Sequence, residues 1–163
     1  MPIDIGELHL DFIRSPGYAD FDNWTTIARK VIASGWLQET IEHLNLSWRM
    51  TARMMAVDVP TLRAWVTGKQ TPTTQSLAKI YVFWREIERI FDQYPEEFWE
   101  NIMPIRHLCR IQGRPESYVL KDCEDGKLHC HDLGLLGVWV DASEQEMERW
   151  RRAQESDRRK VKS

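Results

Sequence analysis

The sequence predicts a mainly α-helical protein in which a helical N-terminal part is followed by a small α+β C-terminal region. Three observations indicate this division. Apolar residues recur at helical spacing in the first part of the chain. A Tyr94-Pro95 step then ends the longest of these patterns. Beyond Ser117, short apolar runs surround turn-forming residues instead. We therefore expect a helical domain over residues 1–94 and a smaller domain over residues 95–163.

The composition is that of an ordinary globular protein. Of the 163 residues, 42% are hydrophobic and 29% are charged, and this length suits one compact domain or two small ones. No apolar run reaches the roughly 18 residues that a membrane span needs. The N-terminus, MPIDIGELHLDF, lacks the charged and apolar regions of a secretory signal. We therefore expect a cytoplasmic protein that contacts no membrane.

The net charge of −3 does not by itself indicate a polyanionic partner, so the distribution of charge matters more. Residues 47–75 contain four basic side chains and a single acidic one, Asp58. The C-terminal tail, residues 149–163, contains seven basic and two acidic side chains. Two basic regions on an otherwise acidic chain are compatible with local contacts to phosphate groups.

Within residues 1–94 and outside residues 47–68, helical periodicity predicts three helices. Asp22 suits the N-cap of a helix over residues 23–33, and a second helix is expected over residues 36–44. A long helix then starts near Thr74 and ends at Tyr94. It carries an apolar seam at helical spacing, made by Leu77, Ile80, Trp84, Ile87 and Phe91. This seam suits the core of the domain, and contact with a second copy of the chain is the alternative.

Residues 47–72, SWRMTARMMAVDVPTLRAWVTGKQTP, have the features of two short helices joined by a tight turn. Two residues are of the N-cap type, one is small where the helices approach, and others are apolar at core spacing. A glycine and a proline then end the second helix. This frame consists of Ser47, Ala52, Val57, Asp58, Leu62, Trp65, Gly68 and Pro72. An αα-hairpin that only packs against its neighbours is the structural alternative.

The segment resembles the helix-turn-helix of the XRE family, the Cro/CI-type repressors. The family pattern runs roughly T-Q-x-x-L-A-x-x-L-G-V-S-x-x-T-I-S-x-W-E-x-G-x-x-x-P. The frame residues match it in type, as do Met55 and Thr61, and the likeness spans residues 36–84. Three residues depart from it, since Trp48 stands for Gln, Thr51 for Leu and Ala56 for Gly. The resemblance implies a lambda-repressor-like helical bundle with its helix-turn-helix at residues 47–68.

The resemblance also implies that the second helix of the pair enters the major groove of duplex DNA. Arg63 is then the candidate for bidentate contact with guanine, and Thr61 for donation to a base or a phosphate. Val59 and Pro60 suit contact with a thymine methyl group. The complete set of candidate DNA-contact residues is Trp48, Arg49, Val59, Pro60, Thr61, Arg63, Ala64, Thr67, Lys69, Gln70 and Thr73.

The resulting interpretation is a sequence-specific transcriptional regulator that binds an operator in double-stranded DNA. A repressor, such as a phage or prophage immunity repressor, is the leading form. In this form, the C-terminal region mediates self-association into a homodimer or supplies a second DNA contact. The alternative is an antitoxin-like autoregulator whose C-terminal region binds a protein partner. No Gly-rich phosphate loop, G-x-S-x-G motif or assignable Ser–Lys dyad occurs, so we expect no enzymatic activity and no cofactor.

The C-terminal region predicts strands and a last helix. Asp125-Gly126 is a hairpin signal between the apolar runs of residues 118–120 and 128–130. A third strand is expected over residues 135–140. The sequence from Ser143 to Glu146 matches a capping box for a helix with Met147 and Trp150 facing inward. A short helix is also expected over residues 96–102.

The three cysteines, Cys109, Cys123 and Cys130, do not indicate a disulfide framework in a cytoplasmic chain, because their number is odd. Free, buried thiols are therefore expected. Zinc binding together with His107, His129 and His131 is the alternative, although no C-x-x-C spacing occurs. On a strand, the two later histidines would also face away from Cys130. We therefore expect no bound metal. Whether the cysteines take part in any chemistry stays an open question.

Overall fold

Runs of helix-forming residues between capping residues make up most of the protein. The computed structural model describes residues 4–162, apart from the side chain of Lys162. Over these residues the protein is mainly helical, with ten α-helices, one small antiparallel sheet of three strands near the C-terminus, and a long final helix. The expected fold class is confirmed at this level. The chain divides between Gln93 and Tyr94 into two compact units, unit 1 and unit 2.

Unit 1 contains six α-helices within its described residues. They are α1 (Ile5–Ile13), α2 (Phe21–Ala33), α3 (Trp36–His43), α4 (Trp48–Met54), α5 (Val59–Val66) and α6 (Thr74–Gln93), with a 3₁₀ turn at Pro16–Ala19. The predicted bounds of α3 and α6 are confirmed to within one residue. Helix α2 begins earlier than predicted, because Asp20 is its N-cap and Asp22 already lies in the first turn.

Helix α1 was not predicted, because its buried face mixes polar and apolar residues. Ile5, His9 and Phe12 are its buried residues. A local signal was nevertheless present, since the Asp4 carboxylate accepts a hydrogen bond from the Glu7 N–H at 2.9 Å. An acidic N-cap followed three residues later by Glu is a sequence pattern typical of a helix start.

The core of unit 1 forms around α6, which packs against α2 and α1. Of the predicted seam, Leu77, Ile80 and Ile87 are buried. Val82 and Phe83, outside the seam, are also buried, so α6 contributes more than one face to the core. The buried residues are therefore spread around the helix, as expected for the central helix of a bundle.

Unit 2 combines four α-helices with the sheet. Its elements are α7 (Glu96–Glu100), β1 (Ile102–Pro104), α8 (Ile105–Gln112), α9 (Glu116–Glu124), β2 (Cys130–Asp132), β3 (Val138–Asp141) and α10 (Glu144–Lys162). The strand order is β1-β3-β2, and both neighbouring pairs are antiparallel. His131 on β2 lies opposite Trp139 on β3.

The predicted hairpin around Asp125-Gly126 is wrong, because residues 118–120 belong to helix α9. Gly126 has a φ of 75° and ends this helix. Its N–H donates to the Cys123 carbonyl at 3.2 Å, and the Lys127 N–H donates to the Asp122 carbonyl at 2.9 Å. This is the Schellman arrangement of a helix C-terminus, which favours glycine as much as a hairpin turn does. The third strand also starts later than expected, after a 3₁₀ turn at Gly134–Leu136.

The final helix packs on the core of unit 2 as predicted. Trp150 is buried and Met147 packs beside it on the core cluster, which consists of Ile105, Leu108, Val119, Leu128, Val140 and Trp150. Trp150 Nε1 donates to the buried Asp122 carboxylate at 2.7 Å. The Ser143 hydroxyl accepts from the Glu146 N–H at 3.3 Å, so Ser143 caps the helix. The Glu146 carboxylate, however, accepts from the His129 N–H rather than completing the capping box.

The expectation of three free thiols is wrong, because Cys123 and Cys130 form a disulfide. Their Cα atoms are 5.7 Å apart, since the chain reverses direction after α9 and enters β2 beside it. Cys109 stays free and half-buried, and burial is the main cause that raises the pKa of its thiol. An odd number of cysteines is therefore compatible with one bridge and one thiol.

His129, directly before β2, and His131, on β2, lie as the strand alternation predicted. The rings of His129 and His131 lie 4.7 Å apart, whereas Cys130 packs on the core cluster. Among residues 4–162, no group of three or more His, Cys, Asp or Glu side chains is placed to hold a metal ion. In the same range, no helix is long and apolar enough to cross a membrane.

Candidate nucleic-acid interface

Helices α4 and α5 begin at the two capping residues that the sequence predicts. The Ser47 hydroxyl accepts from the Met50 N–H at 3.0 Å, and the Asp58 carboxylate accepts from the Thr61 N–H at 2.8 Å. Hydrogen bonds from Thr61 lower the pKa of the Asp58 carboxyl group, so Asp58 is ionised at neutral pH. These bonds satisfy N–H groups that a helix start would otherwise leave without a partner.

The turn between the two helices requires a left-handed residue, and Ala56 takes that position. Ala56 has a φ of 55°. The Val57 N–H donates to the Ala52 carbonyl at 3.0 Å, and the Ala56 N–H donates to the Arg53 carbonyl at 3.1 Å. The pattern of the resembled family has glycine at this position. The structure shows why, since only glycine adopts this backbone conformation without steric cost.

The inner sides of the two helices are closely packed. Ala52, Met55, Leu62 and Trp65 are at most 3% exposed. Thr51, which stands where relatives of the resembled family carry Leu, is fully buried as well. Its hydroxyl donates to the Ser47 carbonyl at 3.0 Å, so this departure does not leave an unpaired polar group in the core. Helix α5 is therefore held firmly by one face.

The opposite side of the pair, which we call the α4–α5 face, carries the predicted site residues. Seven of them are exposed and four are half-buried, and none is buried. The exposed residues are Arg49, Pro60, Arg63, Thr67, Lys69, Gln70 and Thr73, and the half-buried ones are Trp48, Val59, Thr61 and Ala64. The structure thus leaves all eleven accessible, along α4, α5 and the loop before α6.

Besides Thr61, whose side chain hydrogen-bonds to the Asp58 carboxyl group, the hydroxyl groups of two predicted contact residues are engaged locally. Thr67 donates from its Oγ1 to the Arg63 carbonyl at 2.9 Å. The Oγ1 of Thr73 accepts from the Ser76 N–H at 3.2 Å, as an N-cap of α6 does. Both hydroxyls therefore have structural roles. Only the hydrogen-bonding positions that these local bonds leave open are available to a ligand.

Arg63 and Trp48 form a contact that sequence reasoning missed. The Arg63 guanidinium lies 5.5 Å from the centre of the Trp48 ring, which is within the range of a cation–π interaction. Trp48 is the first residue of α4, and Arg63 lies in the middle of α5. The only sequence signal was the unusual Trp48 at a position where the resembled family carries Gln.

The basic side chains of the α4–α5 face are electrostatically available. Arg49, Arg53, Arg63 and Lys69 are exposed, and none of them has an ion-pair partner among residues 4–162. The nearest acidic residue in the sequence, Asp58, is committed to the cap of α5. The face can therefore attract a polyanion although the whole chain is slightly acidic.

Comparisons of the chain with protein families, curated proteins and solved structures found no match.

Proposed function

We propose that the protein is a transcriptional regulator that binds a specific sequence in double-stranded DNA through the α4–α5 face, with α5 as the recognition helix of a lambda-repressor-like helix-turn-helix. One observation carries this proposal. Helix α5 is capped by Asp58 and anchored by buried Leu62 and Trp65, while its outward side presents exposed Arg63. A rigidly held helix with an accessible arginine suits the reading of base edges.

The residues of the face divide into two kinds of contact. Arg63 suits bidentate donation to guanine O6 and N7, which is the commonest specific contact in the major groove. Val59 and Pro60 at the start of α5 suit apolar contact with a thymine methyl group. Arg49, Lys69 and the amide of Gln70 suit phosphate oxygens, which position the protein without reading sequence. Occupancy of an operator by these contacts would block transcription, so repression is the proposed outcome.

Trp48 supports this role through Arg63. A guanidinium held against an indole ring loses less conformational freedom when it binds a base. Trp48 is therefore proposed as a positioning residue for Arg63. This arrangement accounts for a large aromatic residue at a position where the resembled family uses a polar one.

The proposal is tested by selecting bound sequences from random duplex DNA with the full chain. We expect one sequence motif to be enriched, and a palindromic motif would indicate a two-fold dimer. Arg63→Ala should lose about 1–3 kcal/mol of binding free energy and relax the preference at one base pair. Trp48→Ala should give a smaller loss, of about 0.5–1 kcal/mol, at the same base pair.

The matched control is Arg14→Ala, which removes an exposed arginine from the end of α1 in the same unit. This variant should keep the affinity and preference of the parent protein. Binding without any enriched sequence would contradict the proposal. So would an Arg63→Ala variant that selects the same motif with the same discrimination.

A further inference from the structure

Helix α8 of unit 2 has one apolar and one basic side. Ile105 and Leu108 are buried in the core of the unit, whereas Arg106 and Arg110 are exposed one turn apart. Four residues rise about 6 Å along a helix, so the two guanidinium groups project from neighbouring turns. Gly113 then ends the helix with a φ of 64°, and Arg114 follows directly. We call the surface formed by Arg106, Arg110 and Arg114 the α8 face.

The charge of the α8 face is only weakly compensated. Residues 105–121 contain four basic side chains and a single acidic one, Glu116. Arg106 approaches Glu116 at 3.6 Å, and both side chains are nearly half exposed. Exposed ion pairs of this kind contribute little stabilisation. Arg110 has no ion-pair partner among residues 4–162. The Arg114 guanidinium lies 4.9 Å from the centre of the Tyr118 ring, which orients it without neutralising it.

The first half of α10, which begins the basic tail that the sequence singles out, is much more strongly compensated. Along α10, Arg149 pairs with Glu146 at 2.6 Å, and Arg151 pairs with Glu148 and Glu155, both at 2.5 Å. Arg152 shares Glu148 at 3.2 Å. These acids lie three or four residues away on the same helix, where opposite charges meet. Of these two surfaces, the uncompensated basic one is therefore on α8 rather than on the first half of α10.

We propose that the α8 face binds the phosphodiester backbone of duplex DNA, as a contact additional to that of the α4–α5 face. This inference rests on the proposed function, because duplex DNA is the polyanion that unit 1 is proposed to bind. Guanidinium groups match phosphate oxygens in bidentate geometry. Backbone contacts carry no sequence information, so the α8 face adds affinity and salt dependence without changing the preferred sequence.

The test measures binding of the full chain to two duplexes, the selected site and a scrambled one, over a range of salt concentrations. The Arg110→Gln, Arg114→Gln double variant should bind both duplexes more weakly by the same factor. The slope of log K against log salt should fall by about two, one for each lost phosphate contact. The ratio between the two affinities should stay that of the parent protein.

The matched control is the Arg151→Gln, Arg152→Gln double variant, which removes two exposed but ion-paired arginines from α10 in the same unit. It should keep the parental affinity and salt slope. An unchanged slope in the α8 variant would overturn the proposal and leave the α8 face to an acidic protein partner. A loss that appears in the α10 variant instead would also overturn it. Unfolding curves in urea show that each variant is folded before binding is compared.

The two proposals fail in different ways in this experiment. If the parent protein binds both duplexes equally and the α8 variant weakens both, the proposed sequence-specific function fails and the α8 contact stands. If the parent protein prefers the selected site and the α8 variant binds as the parent does, only the α8 contact fails.

Discussion

Ala56 joins α4 to α5 in a backbone conformation that alanine adopts at a cost. With a φ of 55°, its Cβ lies close to its own backbone, and a left-handed L-residue costs about 1–2 kcal/mol. The surrounding helix caps and the buried side chains of α4 and α5 determine the turn, so Ala56 has to conform. The resemblance identified this position as a departure, but only the structure shows that the left-handed conformation is retained.

Replacing Ala56 by glycine should therefore stabilise unit 1. Glycine removes the steric cost of the left-handed conformation. It also raises the entropy of the unfolded chain, and this offsets about 0.4–1 kcal/mol of the stabilisation. The expected net gain is about 0.5–1 kcal/mol in the free energy of unfolding, measured by urea denaturation. Ala64→Gly, in the right-handed interior of α5, is the control and should lose about 1 kcal/mol. Equal losses at both positions would contradict the steric explanation.

At the scale of elements, the sequence predicts those whose signals are local. Ser47 and Asp58 cap α4 and α5, Ser143 caps α10, and each makes the expected bond to an N–H three residues later. Helix α9 was missed because Asp125-Gly126 serves a helix end as well as a hairpin. In the folded protein, Val119 on this helix packs into the core of unit 2.

The disulfide joins the end of α9 to the start of β2 and should stabilise unit 2. A bridge across a loop with a sequence separation of seven restricts the unfolded chain by about 2 kcal/mol in the chain-entropy description. Cys123→Ser with Cys130→Ser should lower the free energy of unfolding of unit 2 by that amount. Urea denaturation followed through near-UV circular dichroism measures this loss.

The remaining cysteine provides the control for the bridge. Cys109→Ser leaves the Cys123–Cys130 pair intact and should not remove the sensitivity of unit 2 to a reducing agent. Titration of thiols in the denatured, non-reduced protein should find one reactive group in the parent chain. Three reactive groups, or unfolding curves that a reducing agent leaves unchanged, would show that the bridge is absent.

At the scale of the whole molecule, each unit holds a histidine that resists protonation. Burial, assisted by Lys79, lowers the pKa of His9 in unit 1. Burial, assisted by His129 and opposed by Asp141, lowers the pKa of His131 in unit 2. The unfolded chain therefore takes up protons at these positions before the folded one does, as the pH falls below about 6.5. Their contribution to stability is complete above that pH and decreases below it.

The free energy of unfolding should accordingly fall between pH 7.5 and pH 5.5, a range above the ordinary carboxylate pKa values. In the double variant His9→Leu, His131→Phe, this fall should be smaller, as measured by urea denaturation at several pH values. Phenylalanine keeps the ring contact that His131 makes with Phe98 at 4.9 Å. His43→Gln, at an exposed position, is the control and should keep the parental fall. A double variant with the parental pH dependence would contradict this explanation.

Local sequence signals are enough to predict the α4–α5 pair, the long helix α6 and the capped start of α10. These elements depend on caps, turn residues and apolar spacing within a few residues of one another. The remaining features depend on contacts that form only in the folded chain. The Arg63–Trp48 contact, the Cys123–Cys130 bridge and the charge of the α8 face depend on which groups pack together or neutralise each other. A basic side chain is available to bind a phosphate group only if no acidic side chain pairs with it in the folded protein. Its position along the chain does not show this.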